Sequence, residues 1–282
     1  MVAAAMRAAA AAAARRQSPP KLLTIEPTFT LFKPAVEVGA AYLRVASAHR
    51  QRLDGAPKLP SEDTVSKAFL QEYRRQKERS PCFGHGDMPS VQWWEETIRA
   101  TFSSTGMLPY FEDSFDELYH STFDGSASPE QGGFWRLHPD ADAALRAFRG
   151  SGVTLACLTN WDERYHGMLH NLGLAEHFDF VHVSGETGME KGPEALAHAL
   201  RTASEIRGEE VAAHEAVHVG LSASRDVLAA LDAGWDSVYL GEATMEIDGV
   251  FGLPLARIQH LAPTVGVGGE GDEVDGGDSS SA

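Results

Sequence analysis

The chain has 282 residues, 43% hydrophobic and 23% charged, with a net charge of -16. That length suits one α/β domain with a sizeable insertion, or two small domains. The acidity repels phosphate backbones, which disfavours direct nucleic-acid binding and leaves a basic protein partner or plain solubility. No stretch of about 18 apolar residues occurs, so no transmembrane helix is expected. The two cysteines, Cys82 and Cys157, argue against a disulfide framework and a four-thiolate zinc site.

Residues 1–21 are Ala-rich and carry Arg7, Arg15, Arg16 and Lys21, with no acid before Glu26. A basic, acid-free, helix-capable leader is the signature of a mitochondrial targeting segment. The bland alternative is an Ala-rich extension. A short apolar run follows at residues 22–26. Residues 35–53, 61–79, 90–104 and 110–123 then repeat apolar positions at helical spacing, for example Val65, Phe69 and Tyr73. SPEQGG, residues 128–133, reads as a loop closing this helical block.

Beyond it helix and strand alternate. Helices are expected at 140–149, 163–172, 193–204 and 225–233, and strands at 153–158, 180–183, 216–220 and 237–241. Apolar runs alternating with short helices imply a parallel sheet covered on both faces. Residues 264–282 are acidic and Gly-rich, a composition expected to be disordered. In such a sheet the ligand crevice lies at the carboxyl ends of the strands, which directs attention to Glu26-Pro27-Thr28-Phe29-Thr30, Thr159-Asn160, the loop with Lys191, and Gly220-Leu221-Ser222 with Asp226.

The order of these four segments resembles the four motifs of the haloacid-dehalogenase (HAD) hydrolase superfamily. Gln92-Trp93-Trp94, Leu172-Gly173-Leu174 and His177-Phe178-Asp179-Phe180 resemble the haloacid-dehalogenase-like hydrolase domain-containing proteins in particular. The resemblance implies an α/β, Rossmann-like core with a helical cap inserted after the first strand: core 22–33 and 134–263, cap 34–133. It also implies a chemistry. In the family an Asp-x-Asp-x-Thr motif supplies a nucleophile that forms an aspartyl-phosphate. The same motif supplies a general acid/base, an effect worth roughly 100- to 10,000-fold. A hydroxyl and a lysine hold the phosphoryl oxygens, and an acidic pair holds magnesium.

Carried onto this chain, the resemblance puts Glu26 at the nucleophile, one methylene and about 1.5 Å too long. It puts Phe29 at the acid/base and Leu221 at the first magnesium-binding acid. Thr159, Asn160 and Lys191 stand as vestigial phosphate-binding residues and Asp226 as a vestigial acid. Phe29 and Leu221 are expected to make the sheet mouth dry by packing. Loss of nucleophile, proton shuttle and metal anchor together leaves no evident route to phosphoryl transfer.

The remaining motifs carry less. Gly220-Leu221-Ser222-Ala223-Ser224 approximates a nucleophile elbow, with Asp232, Asp236, Asp248 and His260 downstream; the plainer reading is that a serine caps the next helix. Cys82, His85 and Asp87 make an incomplete metal set. His218 reads as a satisfied core residue. Thr159 has an alternative as a helix cap, and Lys191 as a solvated loop charge. Trp93 and Trp94 read as cap packing, and Trp135 and Trp161 as filling for a former cleft.

The expected function is that of a catalytically inactive HAD-like accessory subunit of a large mitochondrial complex. A respiratory-chain or ATP-synthase assembly on the matrix side is favoured over a ribosome. Its partners are other protein subunits, and no cofactor is expected. The alternatives are a variant phosphatase that uses Glu26 with magnesium, and a module that binds a phosphometabolite without turnover.

Overall fold

The computed structural model describes residues 20–50, 55 and 57–240. Residues 1–19 of the expected targeting segment, the tail and the end of the expected core after residue 240 lie outside these residues. A five-stranded parallel sheet, ordered β5-β4-β1-β6-β7, organises the core. Its strands are β1 (Leu22–Ile25), β4 (Thr154–Thr159), β5 (Phe180–Val183), β6 (Ala216–Gly220) and β7 (Asp236–Tyr239). Central β1 pairs Ile25 with Cys157 on one side and with Val219 on the other.

Every residue of β1, β4 and β6 is buried, which explains why these strands read as continuous apolar runs rather than alternating ones. The pleat then sorts the side chains by face. Leu23, Ile25, Leu155, Cys157, Val217 and Val219 pack against α5 (Ala141–Gly150) and α6 (Arg164–Asn171). Leu22, Ala156, Leu158 and Ala216 pack on the other face against Ala195, Leu196, Ala199 and Ala203 of α7 (Pro193–Arg207).

A second unit of structure is a three-residue antiparallel ribbon of β2 (Phe32–Pro34) and β3 (Trp135–Leu137). Between its strands run α1 (Val38–His49), α2 (Glu62–Arg79), α3 (Ser90–Ser104) and α4 (Phe111–His120). Ser61 starts α2 by accepting a hydrogen bond from the Thr64 amide at 3.2 Å. These helices enclose a separate core of Tyr42, Val45, Val65, Ile98, Phe102, Tyr110, Phe111 and Leu118. The chain therefore leaves the sheet and returns to it across one narrow ribbon.

The expected helix at 225–233 begins earlier and opens as a π-helical turn, Ala223–Leu228, before one α-turn at Ala229–Asp232. The amides of both Asp226 and Val227 bond to the Ser222 carbonyl, at 2.9 and 3.2 Å. That wide first turn swings Asp226 back over the end of β6. Among the described residues no helix is long and apolar enough to cross a membrane.

Candidate functional site

The strand ends bring Glu26, Thr159, Lys191 and Asp226 to one point. Glu26 follows β1 and Thr159 ends β4. Lys191 closes the loop after β5, its backbone N–H donating to Asn160 Oδ1 at 2.7 Å. The Lys191 ammonium donates to Glu26 Oε2 and to Asp226 Oδ1, both at 2.6 Å. All three groups are nearly dry, with side-chain exposures of 6% for Lys191, 12% for Glu26 and 2% for Asp226.

The carboxylates are otherwise well satisfied. Thr159 Oγ1 donates to both Glu26 oxygens at 3.0 and 3.2 Å, and the Thr28 amide donates to Oε1 at 3.1 Å. Asp226 Oδ2 accepts from the amides of Leu221 at 2.9 Å and Ser222 at 2.7 Å. His218 spans the site's floor, with Nδ1 2.7 Å from Thr24 Oγ1 and Nε2 3.3 Å from Asp226 Oδ1. A Cβ at Gly220 would come within 2.3 Å of the Asp226 carboxylate, so glycine is what lets that carboxylate sit here.

The electrostatics follow from this closure. Burial pushes the Asp226 carboxyl upward, but its hydrogen bond to His218 and the charge of Lys191 outweigh that and hold it well below the usual carboxylate range. Burial likewise works against the Lys191 charge, and the Glu26 and Asp226 carboxylates overcome it and raise the ammonium above its ordinary value. Beneath the site, burial drives the Cys157 thiol and Tyr165 phenol well upward, so both stay protonated.

The magnesium that the resemblance implies does not fit this donor set. A hard dication wants about six oxygen ligands. Here Leu221 offers no side-chain oxygen. The two carboxylates present are bridged by an ammonium and committed to backbone and hydroxyl donors. Among the described residues no group of three or more His, Cys, Asp or Glu is arranged to hold a metal.

Phe29 is not where the sequence expectation put it. It is 63% exposed, with φ +68°, on the outer side of the loop after β1. Counting Asp-x-Asp from Glu26 puts the second acid at Thr28, whose amide touches Glu26 and whose Oγ1 lies 3.5 Å from the Tyr165 hydroxyl. Thr28, not Phe29, is thus the side chain beside the nucleophile position, and it too lacks a carboxylate. The mouth is also not dried by Phe29; it is closed by the buried ion cluster.

Other candidates resolve simply. Ser222 Oγ accepts from the Arg225 amide at 3.2 Å, the capping role that competed with the elbow. Asp248 and His260 lie outside the described residues. Thr159 does not cap a helix, and Lys191 is not solvated. His85 Nδ1 donates to the Gly185 carbonyl at 3.0 Å. Trp161 packs between Trp135 and Tyr165, with ring centroids 5.9 and 5.4 Å away. Trp93 is lobe packing, its Nε1 donating to the Ser80 carbonyl at 2.7 Å. Trp94 does more, since it bonds to Asp162 in the core at 2.5 Å.

A parallel sheet with a helical lobe across a ribbon after its first strand, and a lysine–carboxylate cluster at its mouth, defines a HAD-type protein. The haloacid dehalogenase-like hydrolase family model matches residues 28–234, and the chain belongs to that family. It is 30% identical over 219 residues to haloacid dehalogenase-like hydrolase domain-containing protein 3 of Bos taurus, spanning 77% of this chain and 80% of that protein. Among solved structures, a 2-haloacid dehalogenase from Pseudomonas syringae pv. Tomato DC3000 superposes with TM-score 0.58 at 20% identity, covering 88% of this chain and 98% of that one. The magnesium-bound HAD-hydrolase YfnB from Bacillus subtilis does so with TM-score 0.59 at 16% identity, covering 88% and 100%.

Proposed function

We propose that this chain is a HAD-fold protein that has given up metal-dependent phosphoryl transfer and serves as an accessory subunit of a large mitochondrial assembly. The observation that carries the first half is the Lys191 ammonium seated between Glu26 and Asp226, 2.6 Å from each, beside Leu221 in place of an acid. Phosphoryl transfer needs a free nucleophile, a proton shuttle and a countercharge for the phosphoryl oxygens. Here the nucleophile position is salt-bridged, Thr28 has no carboxylate, and the donors of Thr159 and Lys191 are already directed at Glu26.

The second half rests on the basic, acid-free leader and the strongly acidic remainder, which suits a protein-lined seat better than RNA. A respiratory-chain or ATP-synthase complex on the matrix side is the assembly favoured. The test is a native complex profile of the tagged full chain from gently solubilised mitochondria. Stoichiometric migration with a megadalton complex is the expected result. Migration as a free species near the chain's own 30.4 kDa would overturn the subunit reading.

One observation favours a second reading. Asn160 Nδ2 is buried without a hydrogen-bond partner, a donor that an incoming anion could satisfy. A phosphometabolite held there would raise the melting temperature without turnover.

A further inference from the structure

Two histidines that the strand-end cluster does not use meet between β5 and α7. His182 lies on β5 and is 2% exposed. Phe180, earlier on the same strand, packs with Ala195, Leu196 and Ala199 of α7, and the pleat turns His182 to that same face. His198 follows Ala195 on α7 at helical spacing, on the flank of the stripe that covers the sheet. The two ring centroids lie 5.5 Å apart, with the planes tilted by 58°.

The tautomer of His182 is fixed by its neighbour. Its Nε2 lies 3.0 Å from the Met189 carbonyl. A carbonyl can only accept, so Nε2 carries the hydrogen. Burial, with His198 beside it, holds the ring's pKa below the ordinary histidine value, so the ring is neutral at pH 7. Nδ1 of His182 is then a bare lone pair. It is buried with no hydrogen-bond partner, and so is Nδ1 of His198, which presents a second lone pair when its hydrogen is on Nε2. Orphaned polar atoms out of water are costly. A histidine that donates one ring N–H to a backbone carbonyl and keeps the other nitrogen free has the arrangement of a metal ligand.

The donors select the ion. Zinc wants four ligands drawn from Cys, His, Asp and Glu, and among the described residues no three such groups converge. Two neutral imidazoles, with the Met189 side chain packed in the same cluster, suit a soft ion instead. The carboxylate whose charge reaches His182 is that of Glu186, and it bonds to His166 at 3.0 Å. One negative charge at that range matches a monovalent ion better than a dication, whose burial would be left uncompensated.

We propose that His182 and His198 form a two-histidine site for copper(I), held through their Nδ1 atoms. The site shares no ligand with the Glu26–Lys191–Asp226 cluster, so it and the proposed function can fail separately.

The test titrates copper(I), kept reduced under anaerobic conditions, into the full-length Cys82→Ser protein against the chelator bicinchoninate. Serine removes the thiol that is 7% exposed; the other, Cys157, is 0% exposed inside the sheet. A parallel sample labelled with nitrogen-15 in its histidines reads the ring nitrogens by NMR.

The expected result is one equivalent of copper(I) withheld from the chelator, with the Nδ1 signals of His182 and His198 moving as it binds. His182→Gln and His198→Gln should each weaken binding at least tenfold. His198 is only partly buried, so its variant keeps the test open if His182→Gln fails to fold. A parent that surrenders all its copper to the chelator would overturn the site. So would His198→Gln binding within twofold of the parent, or movement of the exposed His166 ring in place of these two.

Discussion

Replacing Lys191 by methionine tests the ion cluster where it is most exposed to refutation. The substitution keeps the unbranched stem to within one atom of its length and removes the charge. It leaves Glu26 and Asp226, 12% and 2% exposed at their side chains, facing each other without the ammonium that bridges them. Removing one partner of a buried ion pair costs about 3–5 kcal/mol, because the remaining charge is left uncompensated. In a protein of this size 1 kcal/mol moves the melting temperature by about 2–4 °C, so a fall of roughly 6–20 °C is expected at pH 7.

The pH dependence has a definite sign. Two buried like charges make one carboxylate take up a proton, so the variant should recover part of its deficit at pH 5. The parent should not show this recovery. The Asp226 value is depressed, so its stabilisation is present above the ordinary 3.8 and is lost only as pH falls toward the folded value. The Lys191 value is raised, so its stabilisation is complete below 10.5 and is lost as pH rises through the folded value. Melts followed by circular dichroism between pH 5 and 9 are the assay. A Lys191→Met variant melting within 2 °C of the parent at pH 7, or losing more stability at pH 5, would refute the reasoning.

Three further outcomes follow from the same geometry. Restoring the missing acids together, as Glu26→Asp, Thr28→Asp and Leu221→Asp, should create magnesium affinity measurable by isothermal calorimetry where the parent has none; heat from the parent equal to that of the triple variant would contradict the donor-set argument. Phe29→Gly should leave the melting temperature unchanged or raise it by a few degrees, because the side chain is exposed and a bulky residue at φ +68° costs about 1–2 kcal/mol that glycine avoids. Gly188→Ala should lower stability by about 1–3 kcal/mol, since the position has φ +70° and a Cβ there would strike His85; denaturant titration reads it, and a neutral result would contradict the close packing of His85 on this loop.

The parts of the fold that were legible in the sequence are those with one dominant physical signal. The strands β1, β4, β5 and β6 are short apolar runs between helical patterns. Helix α3 spans the expected Ser90–Ser104 because its apolar spacing is undisturbed from end to end. The ribbon of β2 and β3 was not legible, since three residues each, Phe-Lys-Pro and Trp-Arg-Leu, are too few to show a period. The π-helical turn after β6 was also invisible, since it depends on two amides sharing one carbonyl.

At the site, Glu26, Thr159, Lys191 and Asp226 could be found because the sheet-end rule and the motif spacing agree on them. What neither could supply was their partnership, because strand neighbours are far apart in the chain. His218 looked like an ordinary core histidine; it is one, and it also touches Asp226. Its place on β6, eight residues before Asp226 and one strand from β1, was the available signal. At Phe29 the sequence misleads, because an aromatic beside the motif suggests packing, whereas Asp-x-Asp spacing from Glu26 leads to Thr28 and Phe29 is 63% exposed. Asp162 stood in plain view next to Trp161, but nothing in a linear sequence says that a lobe tryptophan returns to meet it.

The central claim is that this site does not carry out metal-dependent phosphoryl transfer. It is tested most directly by steady-state turnover of a generic phosphate monoester by the purified full-length chain, with and without magnesium, beside Glu26→Gln. The account predicts no magnesium-dependent turnover above the Glu26→Gln background. Magnesium-dependent turnover that disappears in Glu26→Gln would contradict it and would make Glu26 a working nucleophile.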